Sequence, residues 1–550
     1  MSALFTPTDE VDFVVIGAGA AGGVMAKELS DGGFRVVVLE QGPWRRPRDF
    51  THDELTVMYR AGLTNDPRKQ PNTFRKTPQQ QAVKQQAVEY GCMVGGGSVH
   101  FTSNYWRFHP EDFRERSVLG SIPGADLRDW PISYDDLEPY YTKAEWDLGI
   151  SGLGGSNPFD GPRSRPYPLP PMPVKSSGVL FERGAKKLGL HPFPAPLAVL
   201  SQPYQGRAAC IHCGFCESFG CEVGAKSSTL AALIPMAVKS GRCEIRPDSY
   251  ARKIEVGNDG RVRGATYFDR QGREVFQRAK AVVVCANGAE TPRLLLMSKS
   301  NLFPQGLANS SGTVGKYLMF DNGALVMGVC DHPLNEYKSV VVTRVLHDFY
   351  RSDPKRGFYG GGGIDARFDY YPIAFASDAM PKDTPQWGSE WKRSVGEYYT
   401  HMIGALGHTS CLAVEQNSVS LDEQVKDAWG LPALRITFQN HPDDMKAMLF
   451  IAERQKEILT AAGARKVWVD PSTVTETTYS RHLMGSCRMG DDPRSSVVNK
   501  WNRAHDVPNL FLVDGSSLVT SARQQPTATI QALAYRAADH IQQAAKRGEI

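Results

Sequence analysis

Three glycines, Gly17-x-Gly19-x-x-Gly22, carry the chain from a short apolar run, Asp12-Phe-Val-Val-Ile16, into a helix-like segment, Gly23-Val-Met-Ala-Lys-Glu-Leu29. In such a pattern the first glycine permits a tight turn and the second lets backbone approach a pyrophosphate. The third lets helix and strand pack closely. The helix start adds N–H groups and a partial positive charge for the phosphates. A second strand, Arg35-Val-Val-Val-Leu39, ends in Glu40, where a carboxylate takes ribose hydroxyls. A glycine-rich surface turn would leave Glu40 unexplained, so the segment reads as a dinucleotide-binding βαβ unit. A second chemical signal is Cys210-Ile-His-Cys213-Gly-Phe-Cys216-Glu-Ser-Phe-Gly-Cys221. Its spacing is similar to the start of an iron–sulfur run. Zinc lacks a second well-spaced pair, and thiols without metal are the third reading. The other six cysteines (92, 243, 285, 330, 411, 487) are scattered and read as core packing.

The chain around these residues is 550 residues long, enough for two or three domains or one large elaborated domain. With 41% hydrophobic and 22% charged residues it has the composition of a globular protein. The net charge is +4, and no block of about five or six like charges appears, which argues against nucleic acid or an anionic membrane as partner. No run reaches about 18 apolar residues, so no transmembrane helix is expected. The segment Met1 to Glu10 carries acids and lacks a basic stretch followed by an apolar one, so no signal peptide is expected.

Residues 151–205, with Ser151-Gly-Leu-Gly-Gly-Ser156 and Pro166-Tyr-Pro-Leu-Pro-Pro-Met-Pro173, read as an irregular crossing loop. Residues 243–285 read as short strands with hairpin turns at Gly257-Asn-Asp-Gly260 and Arg270-Gln-Gly272, ending in a buried strand, Ala281-Val-Val-Val-Cys285. A helix is predicted over Thr291–Leu296 and another from Pro442 to Ala462. The chain closes with a strand, Leu510-Phe-Leu-Val-Asp514, and a long helix from Thr527 toward Ala545.

Six ordered segments together resemble the glucose–methanol–choline flavoprotein oxidoreductases. They are Gly17–Gly22 with Glu40, Val94-Gly-Gly-Gly-Ser98, Asp129-Trp-Pro-Ile-Ser-Tyr-Asp-Asp-Leu137 and Asn287-Gly-Ala-Glu-Thr-Pro-Arg-Leu-Leu295, then His482-Leu-Met-Gly-Ser-Cys-Arg-Met-Gly490 and Val513-Asp-Gly-Ser516. Trp106-Arg-Phe-His-Pro-Glu-Asp-Phe113 looks most like the large subunits of bacterial gluconate, glucose and glycoside dehydrogenases. The resemblance implies an α/β fold: a discontinuous Rossmann-like FAD-binding domain, with an inserted, mainly antiparallel-sheet substrate domain. The expected division is 1–320 (with the Cys-rich segment 207–229) and 471–550 for the flavin, and 321–470 for the substrate. Flavin contacts are expected from Gly17, Gly19, Gly22, Glu40, Gly95, Gly96, Ser98, His100, Asp514, Gly515, Pro526 and Thr527.

The implied reaction is oxidation of a sugar or glycoside CH–OH by hydride transfer to FAD. Hydride leaves readily only when a base takes the hydroxyl proton. His482 matches the family's catalytic histidine, and imidazole titrates near working pH. The family pairs it with His or Asn before a proline; here Gln525 precedes Pro526, a group that hydrogen-bonds but cannot serve as a base. Gln524 is the competing register. His100 matches a histidine that bonds covalently to the flavin in some members and packs on its dimethylbenzene edge in others. The four clustered cysteines correspond to an iron–sulfur site in the dehydrogenases, although the spacing differs, and to a similar cysteine pattern in steroid and alcohol oxidases. The dehydrogenase reading implies a small subunit, a cytochrome c-like or quinone acceptor, and a cytoplasmic chain or one co-exported to the periplasm. An oxygen-using steroid or alcohol oxidase, and a flavin electron carrier without substrate, are the alternatives. Trp387, Trp391, Tyr398 and Tyr399 are candidates for stacking on sugar rings.

Overall fold

The computed structural model describes residues 4–550 apart from 61, 369 and 471. Met1 and residue 471, where the N-terminal reading and the third predicted segment begin, lie outside the described residues. A parallel sheet brings together strands far apart in sequence, in the spatial order Cys243–Arg246, Val36–Leu39, Val11–Ile16, Glu274–Val284, Leu510–Leu512. Val14 to Ile16, Val36 to Leu39 and Val282 to Val284 are all buried, the continuous apolar pattern of a parallel sheet covered on both faces. Helix Ala20–Asp31 packs against the C-terminal helix Thr527–Lys546, so the two ends of the chain share one core. Strand Glu274–Val284 is long enough to serve two sheets. Its first half pairs antiparallel with Val262–Phe268, which pairs in turn with Tyr250–Val256, through the two predicted hairpin turns.

A second, six-stranded antiparallel sheet runs in the order Lys466–Val469, Asn322–Val329, Met402–Thr409, Gly362–Arg367, Val342–Leu346, Phe193–Pro194. Helix Pro442–Ala462 packs against it; its N-cap His441 accepts from Asp443 N–H, and Gly463 ends it at φ +101°. A third sheet joins Ser418–Lys426 and Pro432–Thr437 to Asn72–Arg75 and Val83–Lys84.

The segment 151–205 departs from the expected irregular loop. It contains a helix, Ser176–Lys187, and the edge strand Phe193–Pro194 of the second sheet. No proline falls between Pro173 and Pro192, and in that interval Leu180, Phe181 and Ala185 form one apolar face. That face packs with Ile458, Leu459 and Ala462 of the neighbouring helix. Gly184 allows the approach: a Cβ there would stand 2.6 Å from the Ile458 carbonyl oxygen.

Candidate active site

The parallel strands aim their C-terminal ends at a cavity of about 660 Å³, within the size range of cofactor and ligand sites. Two glycine turns form one wall. Gly17 has φ +97°, and a Cβ on it would come within 2.4 Å of the Cys285 carbonyl oxygen; one on Gly22 would reach 1.9 Å from Gly17 O. Gly96 has φ +52°, and its Cβ would stand 2.7 Å from Gly19 Cα, so the turns at 17–22 and 95–98 meet backbone to backbone. Helix Ala20–Asp31 starts at Gly19 with no side-chain cap and no acid in its first turn. Its N–H groups remain available to an anion.

Glu40 accepts hydrogen bonds from Ala18 N and Gly42 N, both at 2.9 Å. Burial pushes its carboxyl up to about 7 against the pull of those N–H groups. Asp514 joins the far side: it accepts from Thr291 Oγ1 at 2.6 Å, Ser516 N at 2.8 Å and Asn287 N at 3.1 Å. Burial raises the Asp514 carboxyl. Ser98 is turned into the protein, donating to Gly95 O at 2.6 Å and accepting from Thr229 N. Gly515, Pro526 and Thr527 line the cavity where helix Thr527–Lys546 begins. The positive end of that helix suits negative charge developing in the cavity.

His100 is buried on the cavity wall, and its Nε2 has no hydrogen-bond partner. Burial, then the positive charges of Arg481 and Lys226, push its imidazole down to about 3, so the ring is neutral. A neutral, unpartnered ring nitrogen beside a dinucleotide cradle suits contact with a flavin. The cysteine loop lies directly behind it. Ser218 N donates to His100 O at 2.8 Å, and buried Lys226 donates to the carbonyls of Phe101, Cys216 and Phe219. Cys216 is buried, Cys210 and Cys221 are half-buried and Cys213 is exposed. Burial pushes the Cys216 thiol up to about 12. Among the described residues no three of these sulfurs converge within 4.8 Å, so a mononuclear zinc site is not preformed.

At the other end of the cavity His482 Nδ1 lies 2.8 Å from Asp321 Oδ2, an ion-pair contact whose N–H direction is off the oxygen. Asp321 also stands 3.6 Å from Nδ1 of His408, and His408 Nε2 lies 2.9 Å from Asp365 Oδ2. Arg367 closes the row with two contacts to Asp365, at 3.0 and 2.8 Å. Burial disfavours a charged His408, but the two carboxylates overcome it and raise its pKa, so the ring is held toward the imidazolium. Asp321 is correspondingly held well below the usual carboxylate range: burial opposes this, and the imidazoles of His482 and His408 outweigh it. Gln525 lines the cavity with its Nε2 at 3.1 and 3.4 Å from the two ring nitrogens of His408, so the amide sits over the ring. Asn104 donates to Gln525 Oε1 at 3.1 Å. Gln524 turns away and donates to the Arg107 carbonyl, which separates the two registers.

His408, Asp321 and Asp365 escaped the sequence reading because each stands alone in it. His408 pairs with Gly323 and Gly363 on its two neighbouring strands, and the space over Gly363 is taken by the His347 ring. Trp387, Trp391, Tyr398 and Tyr399 do not line the cavity. They lie on or beside helix Gly388–His401, with Trp387 85% exposed and Tyr398 and Tyr399 packed in a satellite cluster.

A dinucleotide cradle facing an imidazole–carboxylate row defines an oxidoreductase. The chain matches GMC oxidoreductase, N-terminal region, over residues 11–319 and its C-terminal region over 413–534. It belongs to that family of FAD-dependent enzymes acting on CH–OH donors. It is 36% identical over 545 residues to a 2-methyl-1,2-propanediol dehydrogenase of Mycolicibacterium austroafricanum, covering 98% of this chain and 96% of that one. A gluconate 2-dehydrogenase flavoprotein of Pantoea cypripedii is 30% identical, with 97% and 94% covered. A fructose dehydrogenase large subunit of Gluconobacter japonicus is also 30% identical, with 98% and 99% covered. Among solved structures, a formate oxidase variant of Aspergillus oryzae superposes with a TM-score of 0.70 at 15% identity, covering 99% and 100% of the two chains, which supports the fold.

Proposed function

We propose that the chain oxidises a small, polyhydroxylated alcohol (a sugar, glycoside or diol) with His482 as the base. The observation that carries this reading is the His482–Asp321 contact on a cavity whose opposite wall is the glycine cradle. Bound FAD would supply the acceptor for the hydride that leaves the carbinol carbon. Gly17, Gly19, Gly22, Gly95 and Gly96 would admit its pyrophosphate, Glu40 would take its ribose hydroxyls and His100 would meet its ring system. Asp321, 2.8 Å from Nδ1, orients the His482 ring and leaves Nε2 as the nitrogen that takes the hydroxyl proton. His408, charged between Asp321 and Asp365, steadies Asp321 and favours the alkoxide character that develops as hydride leaves. Gln525 orients the substrate oxygen. The domain division we infer follows 1–320, 321–470 and 471–550, amended so that residues 176–194 belong with the substrate part.

The substrate class is supported by a polar side pocket of about 340 Å³ that shares Asp321 and His408 with the main cavity. Ser472, Thr473, Thr475, Thr477 and Thr478 line it, a surface for hydroxyl groups rather than a steroid skeleton. The relatives named as dehydrogenases favour a quinone or cytochrome acceptor and, for the one named a large subunit, a small partner subunit. Cys210, Cys213, Cys216 and Cys221 are the residues that would hold an iron–sulfur cluster, which would relay single electrons from the flavin edge to that acceptor.

The experiment is to compare Cys216→Ser with the unmodified protein. Anaerobic reduction of the flavin by substrate stays within a few-fold, while turnover with a cytochrome-type acceptor falls at least tenfold and iron is lost. Equal acceptor turnover without iron in either protein rejects the cluster and turns the reading toward the oxygen-using alcohol oxidase. Attachment through His100 has its own test. Yellow colour stays in the acid-precipitated pellet and leaves it in His100→Ala; free flavin in the supernatant of unmodified protein rejects the bond.

A further inference from the structure

We infer that His109, His347 and Asp160 form a binding site for a divalent transition metal, zinc being the simplest occupant. His109 opens the turn Pro110–Phe113, and His347 follows strand Val342–Leu346, so the two rings arrive from separate parts of the fold. Both side chains are buried, at 1% and 2% exposure. His109 Nε2 faces His347 Nδ1 at 3.1 Å, and a carboxylate oxygen of Asp160 completes a set whose ligand atoms all lie within 4.8 Å of one another. Tetrahedral bonds of about 2.0–2.1 Å place neighbouring nitrogens about 3.3 Å apart, close to the spacing already present. Two imidazoles and one carboxylate suit zinc, iron or manganese.

The outer faces of the rings distinguish a metal from a plain hydrogen bond. Without a metal and with both rings neutral, the proton shared between the two inner nitrogens comes from one ring. If it comes from His109, the lone pair of His109 Nδ1 points toward the Glu111 carboxylate, 3.8 Å away. If it comes from His347, that nitrogen presents its proton to the Asn157 amide nitrogen, itself a donor 3.1 Å off. Each arrangement sets like groups against each other. A metal bound by both inner nitrogens removes the conflict at His109 and leaves no ring proton on His347 facing Asn157. The His109 proton moves to Nδ1, where it meets Glu111 in the carboxylate–histidine–metal arrangement that orients such ligands. Asn157 already donates to Asp160 Oδ1 at 2.7 Å and so holds the third ligand in place. Tyr350 stacks on the His109 ring at 3.9 Å and fixes its plane. The Trp106 ring touches both His347 and His408, at 6.0 and 5.7 Å between centroids. The metal would thus tie the loop around Asp160, the Trp106–Phe113 segment and the second sheet together, one ring behind the active site.

The test equilibrates holoenzyme with zinc chloride, removes free metal by gel filtration and measures bound zinc and the unfolding temperature. One equivalent retained per chain, with a raised unfolding temperature, is expected. Asp160→Asn and His347→Ala should lose that equivalent, and Glu111→Gln should weaken zinc affinity by roughly 10–100-fold with all three ligands intact. Cys213→Ser, on the exposed thiol loop, should retain it. Absence of bound zinc in the unmodified protein overturns the inference. So does zinc that persists in His347→Ala and Asp160→Asn but disappears in Cys213→Ser. If His347→Ala fails to fold, Asp160→Asn and Glu111→Gln decide alone.

Discussion

Replacing His482 with Ala lowers turnover by roughly two to four orders of magnitude, the usual worth of a positioned general base. The remaining protein is otherwise intact: His482 is part-exposed on the cavity, and its side chain supports no core contact whose loss would unfold the chain. FAD stays bound, because the glycine turns and Glu40 lie at the far end of the site. The removal leaves Asp321 facing His408, so the carboxylate keeps an imidazole partner. Steady-state turnover and the flavin-to-protein absorbance ratio, read together, separate a lost base from a lost cofactor.

Replacing Gly96 with Val produces protein that retains less than about a tenth of the normal flavin. Two effects add. The position has φ +52°, which a β-branched residue adopts only with strain. Its Cβ would also stand 2.7 Å from Gly19 Cα, where the neighbour is backbone and cannot turn aside. The two glycine turns must then separate, and the dinucleotide loses one wall of its cradle. The corresponding change at Gly97, where a Cβ meets nothing within 4 Å, should leave flavin content near normal. The pair therefore distinguishes steric closure from a general intolerance of side chains in this turn.

The cradle was legible because its chemistry is local. Gly17, Gly19, Gly22 and Glu40 lie within one βαβ unit, and the turn geometry that demands glycine leaves a spacing in the sequence. The helices Pro442–Ala462 and Thr527–Lys546 were legible for a similar reason, their apolar periodicity and end signals being local. The row that faces the cradle was not. Asp321 directly precedes strand Asn322–Val329, Asp365 and His408 sit on strands Gly362–Arg367 and Met402–Thr409, and no spacing along the chain records that sheet pairing brings them together. The pairing of His482 with Gln525 could be read from the segment before Pro526, but His408 beside them could not, since it arrives from strand Met402–Thr409. The loop assigned to 151–205 failed through composition: glycine and proline dominate its first half and mask the amphipathic face that begins at Ser176.

Anaerobic single-turnover mixing tests the central claim most directly. Substrate is mixed with unmodified holoenzyme and with His482→Ala, and flavin bleaching is followed without any acceptor. The account expects rapid bleaching in the unmodified protein, slowed when the carbinol hydrogen is replaced by deuterium, and bleaching at least about a hundredfold slower in His482→Ala. Equal bleaching rates in the two proteins, or no bleaching of the unmodified holoenzyme by any sugar, glycoside or diol, would contradict it.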